Sequence, residues 1–254
     1  MKKPILIVLL LLAISFFLIS FDKNVIKNGA TKEAVTETKT AITKPAETQK
    51  PDIDPSKFTT LIDNAYFSLP VGRTLIYEGE TEDGLERIEI SITGETKEVM
   101  GVETLVYSDK VWVDGELVED TKDYLAQDEQ GNVWYFGEDV DNYEDGELVD
   151  HDGSWLAGAD EAQPGIWIKA EHVLDDSYKQ EYYKGKAEDM RDVVSIGEPV
   201  EIGLGSYTDC VKMYDWTPLE SDAKEHKVYC SEVGAMVLET NLVTNKSIEL
   251  IEIR

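Results

Sequence analysis

The chain contains 254 residues, 42% of them hydrophobic, and carries a formal net charge of −28 at pH 7. This length permits one or two domains with a real hydrophobic core, and so large a negative charge argues against nucleic acid as a partner, because phosphate backbones would be repelled. The charge is uneven, since residues 1–57 hold nine Lys and six Asp or Glu, which leaves 15 basic and 46 acidic side chains for residues 58–254. A mildly basic N-terminal part therefore precedes a strongly acidic body, whose surface we expect to be well solvated.

The N-terminal segment predicts a membrane anchor or a signal peptide. Lys2 and Lys3 precede the almost wholly apolar run 4–21. Its length of about 18 residues is at the lower limit for a helix that spans a membrane and is long for the core of a signal peptide. No A-x-A-like cleavage site follows it, and no Cys stands near its end for lipid attachment. We therefore expect residues 1–21 to form a single-pass anchor with an extracytoplasmic C-terminal domain; a cleaved signal peptide, giving a secreted or periplasmic protein, is the alternative.

Residues 22–57 predict a disordered linker. They are rich in Lys, Thr, Ala, Glu and Pro, and their few apolar residues show no sustained period. Pro45, Pro51 and Pro55 disfavour a helix. We therefore expect a flexible tether that holds the following domain away from the membrane.

From residue 58 to residue 254 the pattern is that of an all-β domain. Segment 86–93 alternates cleanly, with Ile88, Ile90 and Ile92 on one face, as a half-buried strand requires. The phrase DGELV occurs twice, at 114–118 and 145–149, and indicates the same Asp-Gly hairpin turn before two strands. The predicted strands are 73–79, 86–93, 96–100, 103–113, 116–124, 133–137, 177–183, 187–197, 198–203, 207–217, 225–230, 235–240 and 246–253. Turn signals at this regular spacing predict a mainly antiparallel meander, folded as a curved sheet, a sandwich or an incomplete barrel.

Segment 153–168 breaks the strand pattern and is predicted to be a long loop, which in a compact domain is often functional. It lies within the stretch 134–189, where we expect a ligand to bind. The residues expected to bind it are Trp134, Tyr135, Trp155, Trp167, Gln180 and Glu181. Alternation along 133–137 should bury about half of the aromatic residues, so Trp155 and Trp167 are the pair expected to be exposed.

Cys210 and Cys230 are the cysteines of the chain. They fall near opposite positions of a predicted hairpin that closes on residues 217–224, so we expect a disulfide between them, as is usual outside the cytoplasm. Such a bond would close a loop of about 20 residues and stabilise the domain by roughly 3 kcal/mol. Two buried free thiols are the alternative, and no C-x-x-C spacing favours a redox site.

A calcium site is a further hypothesis. Residues 141–152 match the calcium-loop pattern at Asp141, Asp145 and Gly146, but Tyr143 occupies a ligand position and the flanking segments are predicted strands. An EF-hand is therefore not expected. A looser set of oxygen ligands for Ca²⁺ would comprise Asp139, Asp141, Asp145 and Glu147. Solvated carboxylates in an Asp-Gly turn are the alternative.

A carboxylate-dependent, glycosidase-like hydrolase is the rival function. Paired carboxylates could flank a scissile glycosidic bond, and Glu138, Glu181 and Glu188 are the candidates. The domain is so acidic that such a pair can also arise by chance. The three histidines show no zinc-binding spacing, and neither a nucleophile elbow nor a phosphate-binding loop is present.

Six phrases between residues 60 and 254 carry a resemblance that covers most of this range. They are LIDNAYFSLPVG, YEGETEDG, LVEDTKDYLAQDEQGNVWYFGEDV, DGSWLAGADEAQPGI, QEYYKGKAEDM and DWTPLE. With these phrases, of which WYFGE and the GSW-AG pattern are the more specific, the chain resembles a family of uncharacterised secreted or membrane-anchored bacterial β-rich proteins. The resemblance implies an extracytoplasmic β domain, and it implies neither an activity nor a catalytic residue.

Together these features predict a membrane-tethered or secreted binding domain of the bacterial cell envelope, whose small-molecule, glycan or protein ligand contacts the 134–189 stretch. A shallow aromatic surface would favour a binding domain, whereas a deep cleft that holds a carboxylate of raised pKa would favour a hydrolase. A structural module, with or without calcium, would show neither feature.

Overall fold

The structure, a computed structural model, describes residues 51–254. In this range the chain folds into β strands, with one short 3-10 helix at Pro55–Lys57, and the prediction of an all-β domain is confirmed. The predicted anchor at 1–21 and most of the predicted linker lie outside the described residues. No helix within residues 51–254 has the length and apolarity needed to cross a membrane.

Most of the strands join one main sheet, whereas β2–β3 and β16–β17 form small hairpins of their own. The first eleven strands are β1 Phe58–Thr59, β2 Asp63–Asn64, β3 Phe67–Ser68, β4 Thr74–Glu80, β5 Leu85–Ser91, β6 Thr96–Val99, β7 Val102–Val113, β8 Glu116–Asp128, β9 Val133–Glu144, β10 Glu147–Asp150 and β11 Trp155–Leu156. The others are β12 Gln163–Ile168, β13 Ser177–Lys179, β14 Glu181–Tyr182, β15 Met190–Ile196, β16 Val200–Ile202, β17 Gly205–Tyr207, β18 Cys210–Trp216, β19 Lys224–Cys230, β20 Ala235–Asn241 and β21 Ser247–Ile253.

The main sheet is antiparallel and nearly closes into a barrel. Its pairings run from β9 through β8, β7, β5, β4, β21, β20, β19, β18 and β15 to β13. On its other side β9 pairs with β12, which pairs in turn with β14. Because only Gln180 separates β13 from β14, this continuous segment links the two ends of the sheet. Gly165 on β12 faces it, where a Cβ atom would lie 2.3 Å from the Gln180 carbonyl oxygen, so glycine is required for the close approach.

The repeated Asp-Gly phrase forms two tight hairpin turns. Asp114 and Gly115 have φ angles of 51° and 85°, and Asp145 and Gly146 have φ angles of 52° and 80°. Positive φ at both central residues is what a two-residue turn needs to match the twist of antiparallel strands. The prediction that both phrases form the same kind of hairpin is confirmed.

Several predicted element boundaries differ from those of the structure. Segment 153–168, predicted as a loop, contains β11 and β12, which both pair with β9. The strand predicted at 133–137 continues to Glu144, because the polar residues after it keep the alternation of buried and exposed side chains. The 3-10 helix at Pro55–Lys57 falls within the residues of the predicted linker.

Alternating side chains fill the barrel with two kinds of residue. An apolar cluster surrounds Phe67, whose ring centroid lies 5.8 Å from those of Tyr107 and Trp167 and 6.3 Å from that of Tyr229. Charged side chains are buried further along the same strands, such as Asp109 two residues beyond Tyr107. The interior therefore joins an apolar core to a buried polar region.

Cys210 and Cys230 form the predicted disulfide. They are directly opposite on β18 and β19, with Cα atoms 4.0 Å apart. The bond ties together the hairpin that carries Asp215 and Lys227 into the polar region.

Candidate ligand site inside the barrel

A small polar cavity lies inside the barrel beside the segment that links β13 to β14. Its volume is about 30 Å³, which is room for roughly two or three water-sized groups. Its lining residues are Tyr135, Glu138, Trp167, Gln180, Glu181, Asp189, Arg191, Asp215, Trp216, Thr217, Ala223, Glu225 and Lys227. Carboxylates thus outnumber basic groups by five to two around a space that three aromatic residues help to enclose.

Buried aromatic rings form one wall of the cavity. The Tyr135 ring lies 5.3 Å from Trp155 and 5.0 Å from Trp167, both in edge-to-face contact. The Tyr135 hydroxyl donates a hydrogen bond of 2.6 Å to Asp123. Each indole is only 4% exposed, so the prediction that Trp155 and Trp167 are exposed is wrong. The reason is that both belong to strands that pair with β9, and their rings pack on Tyr135 instead of projecting from a loop.

Trp134 does not belong to this wall. It neighbours Tyr135 on β9, so alternation points it to the opposite face of the sheet. There it is half-buried, 5.9 Å from the Phe58 ring, and its Nε1 donates to Asp128 at 2.8 Å. Of the six residues predicted to bind a ligand, Tyr135, Trp155, Trp167, Gln180 and Glu181 come together in the interior, whereas Trp134 packs outside.

One side of the cavity is a network of charges that we call the cation cluster. It comprises Arg191, Asp215, Glu225, Lys227 and Glu239. Arg191 donates to both Asp215 oxygens, at 2.7 and 2.5 Å, and Lys227 Nζ lies 3.4 Å from Glu225 and from Glu239 and 3.7 Å from Asp215. Burial alone would raise the pKa of Asp215, but Arg191 and then Lys227 outweigh it and hold that pKa below its ordinary value. The charges in this cluster therefore have partners.

The other side, which we call the carboxylate cluster, comprises Glu138, Glu181 and Asp189. Within residues 51–254 none of the three forms an ion pair, and Glu138 Oε2 and Asp189 Oδ1 also lack a hydrogen-bond partner. Burial raises the pKa of Glu138 well above its ordinary value, and Asp123 and Glu181 add to the effect. Burial, followed by Asp189, does the same for Glu181. Burial, followed by Asp215, raises the pKa of Asp189 to about 7.

Further buried carboxyls extend this acidic region along β5, β7 and β8. Burial is the main cause that raises the pKa of Glu86 to about 8 and the pKa values of Glu119 and Asp123 to about 7. Asp109 has no hydrogen-bond partner for either oxygen, and burial raises its pKa well above the ordinary value. These groups are therefore shifted toward the protonated form, since an ionised carboxylate in such surroundings is costly.

The four predicted calcium ligands lie elsewhere, on and after the outer part of β9. Asp139 forms an ion pair of 2.8 Å with Lys97, and Asp141 lies 2.8 Å from a histidine ring nitrogen. Asp145 occupies a hairpin turn and Glu147 is exposed after it. In the described part of the chain no group of three or more Asp, Glu, His or Cys side chains is arranged to hold a metal ion. The calcium hypothesis thus gains no support from the geometry.

The three predicted hydrolase carboxylates are also separated. Glu138 and Glu181 line the same cavity. Glu188 is only partly buried and accepts a hydrogen bond of 2.7 Å from the Gly185 N–H in its own turn. The pair that could act together is therefore Glu138 with Glu181.

The cation cluster was not predicted from the sequence. Asp215 follows Val211 and Met213 in the buried phase of β18, and Lys227 precedes Tyr229 by two residues on β19, where both are buried. A charged residue in the buried phase of a strand must find a partner inside the protein. That phase was the signal that could have located the site.

No family model and no curated protein matches the chain. Among solved structures, a crystal structure described as a "putative lipoprotein" from Parabacteroides distasonis ATCC 8503 is similar over 74% of this chain and 98% of that chain, with 12% identity and a TM-score of 0.40. Similarity at this level establishes neither a common fold nor a common function. The resemblance of the sequence phrases to a bacterial envelope family stays a prediction.

Proposed function

We propose that this protein is a binding protein of the bacterial cell envelope, whose extracytoplasmic β domain holds a small polar ligand in the barrel cavity. The carboxylate cluster carries the proposal, because three acidic side chains without an ion pair in residues 51–254 converge on a cavity lined by aromatic rings. Burying a carboxyl without a partner lowers stability. A ligand that pairs with these groups accounts for their position.

The disulfide supports an extracytoplasmic location, because disulfides persist in oxidising compartments and are rare in the cytosol. The apolar run 4–21 behind Lys2 and Lys3 supports attachment to the membrane with the following domain outside. Cleavage of that run as a signal peptide would leave the same domain secreted or periplasmic.

A carboxylate-dependent hydrolase is the second candidate, since Glu138 and Glu181 share the cavity and burial raises the pKa of both. A glycosidase needs one carboxyl protonated and the other ionised, whereas both groups here are shifted toward the protonated form. A cavity of about 30 Å³ also leaves no room for a sugar ring. A cavity that holds carboxyls of raised pKa was expected of a hydrolase rather than of a binding domain, but the size of this cavity and the shift of both groups toward protonation favour binding. Turnover of a chromogenic glycoside that is lost in Glu181→Gln would instead favour a hydrolase.

Protease accessibility tests the location. Protease added to intact cells that express the full-length protein, with the outer membrane permeabilised where the host has one, should digest the β domain. A cytoplasmic marker protein should survive in the same cells. Digestion only after the cells are lysed would place the domain in the cytoplasm and refute this part of the proposal.

A substitution that fills the cavity tests the site. Ala223 lines the cavity and is 9% exposed, so Ala223→Phe should block it, while Ala159→Phe at an exposed position is the matched control. Ligand-observed NMR with a panel of small polar compounds should show binding to the wild type and to the control, and none to Ala223→Phe. Equal binding by all three proteins, or binding by none of them, would count against a ligand site in the barrel.

A further inference from the structure

We infer that the ligand of the barrel cavity is a small organic ammonium ion that also carries an oxygen acceptor, of which an amino alcohol is the simplest example. The inference rests on the proposed function and names the ligand class of the same site. It follows from the charge balance of the cavity, from its unpartnered polar atoms and from its size.

The lining of the cavity favours an additional cation, because its five carboxyl groups outnumber its two basic groups and an ammonium ion would hold Glu138 and Glu181 ionised as they release their protons. Arg191 is held by a two-point ion pair with Asp215, and Lys227 by the acidic members of the cation cluster. Neither forms an ion pair with the carboxylate cluster. A primary ammonium group supplies three donors to such acceptors.

The polar atoms of the cavity that lack a hydrogen-bond partner indicate that the ligand carries both donor and acceptor groups. Glu138 Oε2 and Asp189 Oδ1 are buried acceptors without a donor, and Trp167 Nε1 is a buried donor without an acceptor. All three residues line the cavity. Since nearly all buried polar groups in proteins have a partner, a ligand with an ammonium group and a hydroxyl or carbonyl oxygen would satisfy both kinds.

The size of the cavity excludes ligands larger than a small head group, and the arrangement of its side chains disfavours a bare metal ion. A volume of about 30 Å³ admits a head group of a few atoms, and half-buried Trp216 marks where the lining approaches the protein exterior. A bare metal ion is disfavoured, because the described residues contain no group of three or more ligating side chains placed around one point. The short amino alcohol thus fits in charge, in hydrogen bonding and in size.

Calorimetric titration of the full-length protein with four probes of related size tests the inference. Ethanolammonium should bind, ethylammonium should bind more weakly because it lacks the oxygen, and ethylene glycol and calcium should not bind at comparable concentrations. Glycerophosphoethanolamine distinguishes two sources of the same head group, since binding as tight as that of ethanolammonium indicates a lipid and weaker binding indicates a free amine.

Matched variants locate the binding. Glu181→Gln and Glu138→Gln should each weaken ethanolammonium binding by about tenfold or more, because each removes a charge-assisted hydrogen bond. Glu188→Gln, seven residues from Glu181 but outside the cavity, should bind as the wild type does. Circular dichroism checks that the variants are folded.

Three results would overturn the inference. Ethylene glycol binding as well as ethanolammonium would leave a ligand site but remove the requirement for a cation, so the proposed function would survive. Unchanged ethanolammonium affinity in both Gln variants would place the amine elsewhere. Failure of ethanolammonium to bind would refute the ligand class, while the cavity-filling variant still decides whether the barrel binds any ligand.

Discussion

Asp215 and Glu181, on the two sides of the cavity, show how neighbouring cations can outweigh burial in setting the state of an acidic side chain. Asp215 and Glu181 are both buried on strands of the same barrel. The pKa of Asp215 is lowered, because Arg191 and Lys227 outweigh its burial, whereas the pKa of Glu181 is raised by burial and by Asp189. Asp215 is therefore held ionised, whereas Glu181 is driven toward protonation, as are Glu225 and Glu239 in the cation cluster, where burial outweighs Lys227.

This difference assigns different tasks to the two sides. The ion pairs that join Arg191 and Lys227 to Asp215 fix the strands that carry them, and removing one partner leaves a buried charge without compensation. Buried acceptors without a donor, such as Glu138 Oε2 and Asp189 Oδ1, lower stability and are retained where function requires them. We therefore expect the cation cluster to act as scaffold and the carboxylate cluster to act as the binding element.

The largest effect should come from breaking the cation cluster. Asp215→Asn removes the negative charge that Arg191 and Lys227 share, and it should lower the free energy of unfolding by about 3–5 kcal/mol, as loss of one partner of a buried ion pair does. Urea unfolding followed by tryptophan fluorescence measures the change. Asp120→Asn, which breaks the surface ion pair with Lys110, is the control and should change stability by no more than about 0.5 kcal/mol. Equal effects of the two substitutions would show that the cation cluster is not a scaffold.

The second largest effect should be a dependence of the free energy of unfolding on pH, caused by the buried carboxyls of raised pKa. The pKa of Asp123 is raised from 3.8 to about 7, chiefly by burial, so between these pH values the folded state holds one proton more than the unfolded state. Its contribution to stability is complete below the unfolded pKa and is lost as pH rises through the folded pKa. From pH 5 to pH 8 the free energy of unfolding should therefore decrease, by about 2–3 kcal/mol for this group alone.

Substitutions at two positions of β8 test whether Asp123 causes this pH dependence. Asp123→Asn should reduce the loss of stability between pH 5 and pH 8, whereas Asp120→Asn should leave it unchanged, because Asp120 is paired on the outer face. Glu86, with its pKa raised to about 8 mainly by burial, should keep part of the slope in both variants. Stability that rises with pH over this range would contradict protonated carboxyls in the barrel.

The sequence allowed the architecture to be predicted because its signals are local. Alternation in segment 86–93 and the Asp-Gly turns at 114–115 and 145–146 depend on residues next to each other, and all of them formed as expected. The disulfide partners were also predicted, since they are opposite within one hairpin. The site was predicted only in part, because its members lie on strands far apart in the chain and meet only when the barrel closes. Trp155 was misplaced for the same reason, since its burial depends on pairing with β9.

The smallest effect should come from neutralising a member of the carboxylate cluster. Glu138→Gln keeps the size of the side chain and removes a charge that has no ion pair in the described chain, so at pH 8 the free energy of unfolding should rise by about 1 kcal/mol. The gain should be smaller at pH 5, because burial raises the pKa of Glu138 well above its ordinary value and the folded protein already holds that proton at little cost there. Urea unfolding at the two pH values measures both numbers. A loss of stability at pH 8 would mean that Glu138 has a scaffold role like that of Asp215. A gain in stability together with weaker binding of ethanolammonium would instead show that Glu138 is retained for ligand binding at the expense of stability.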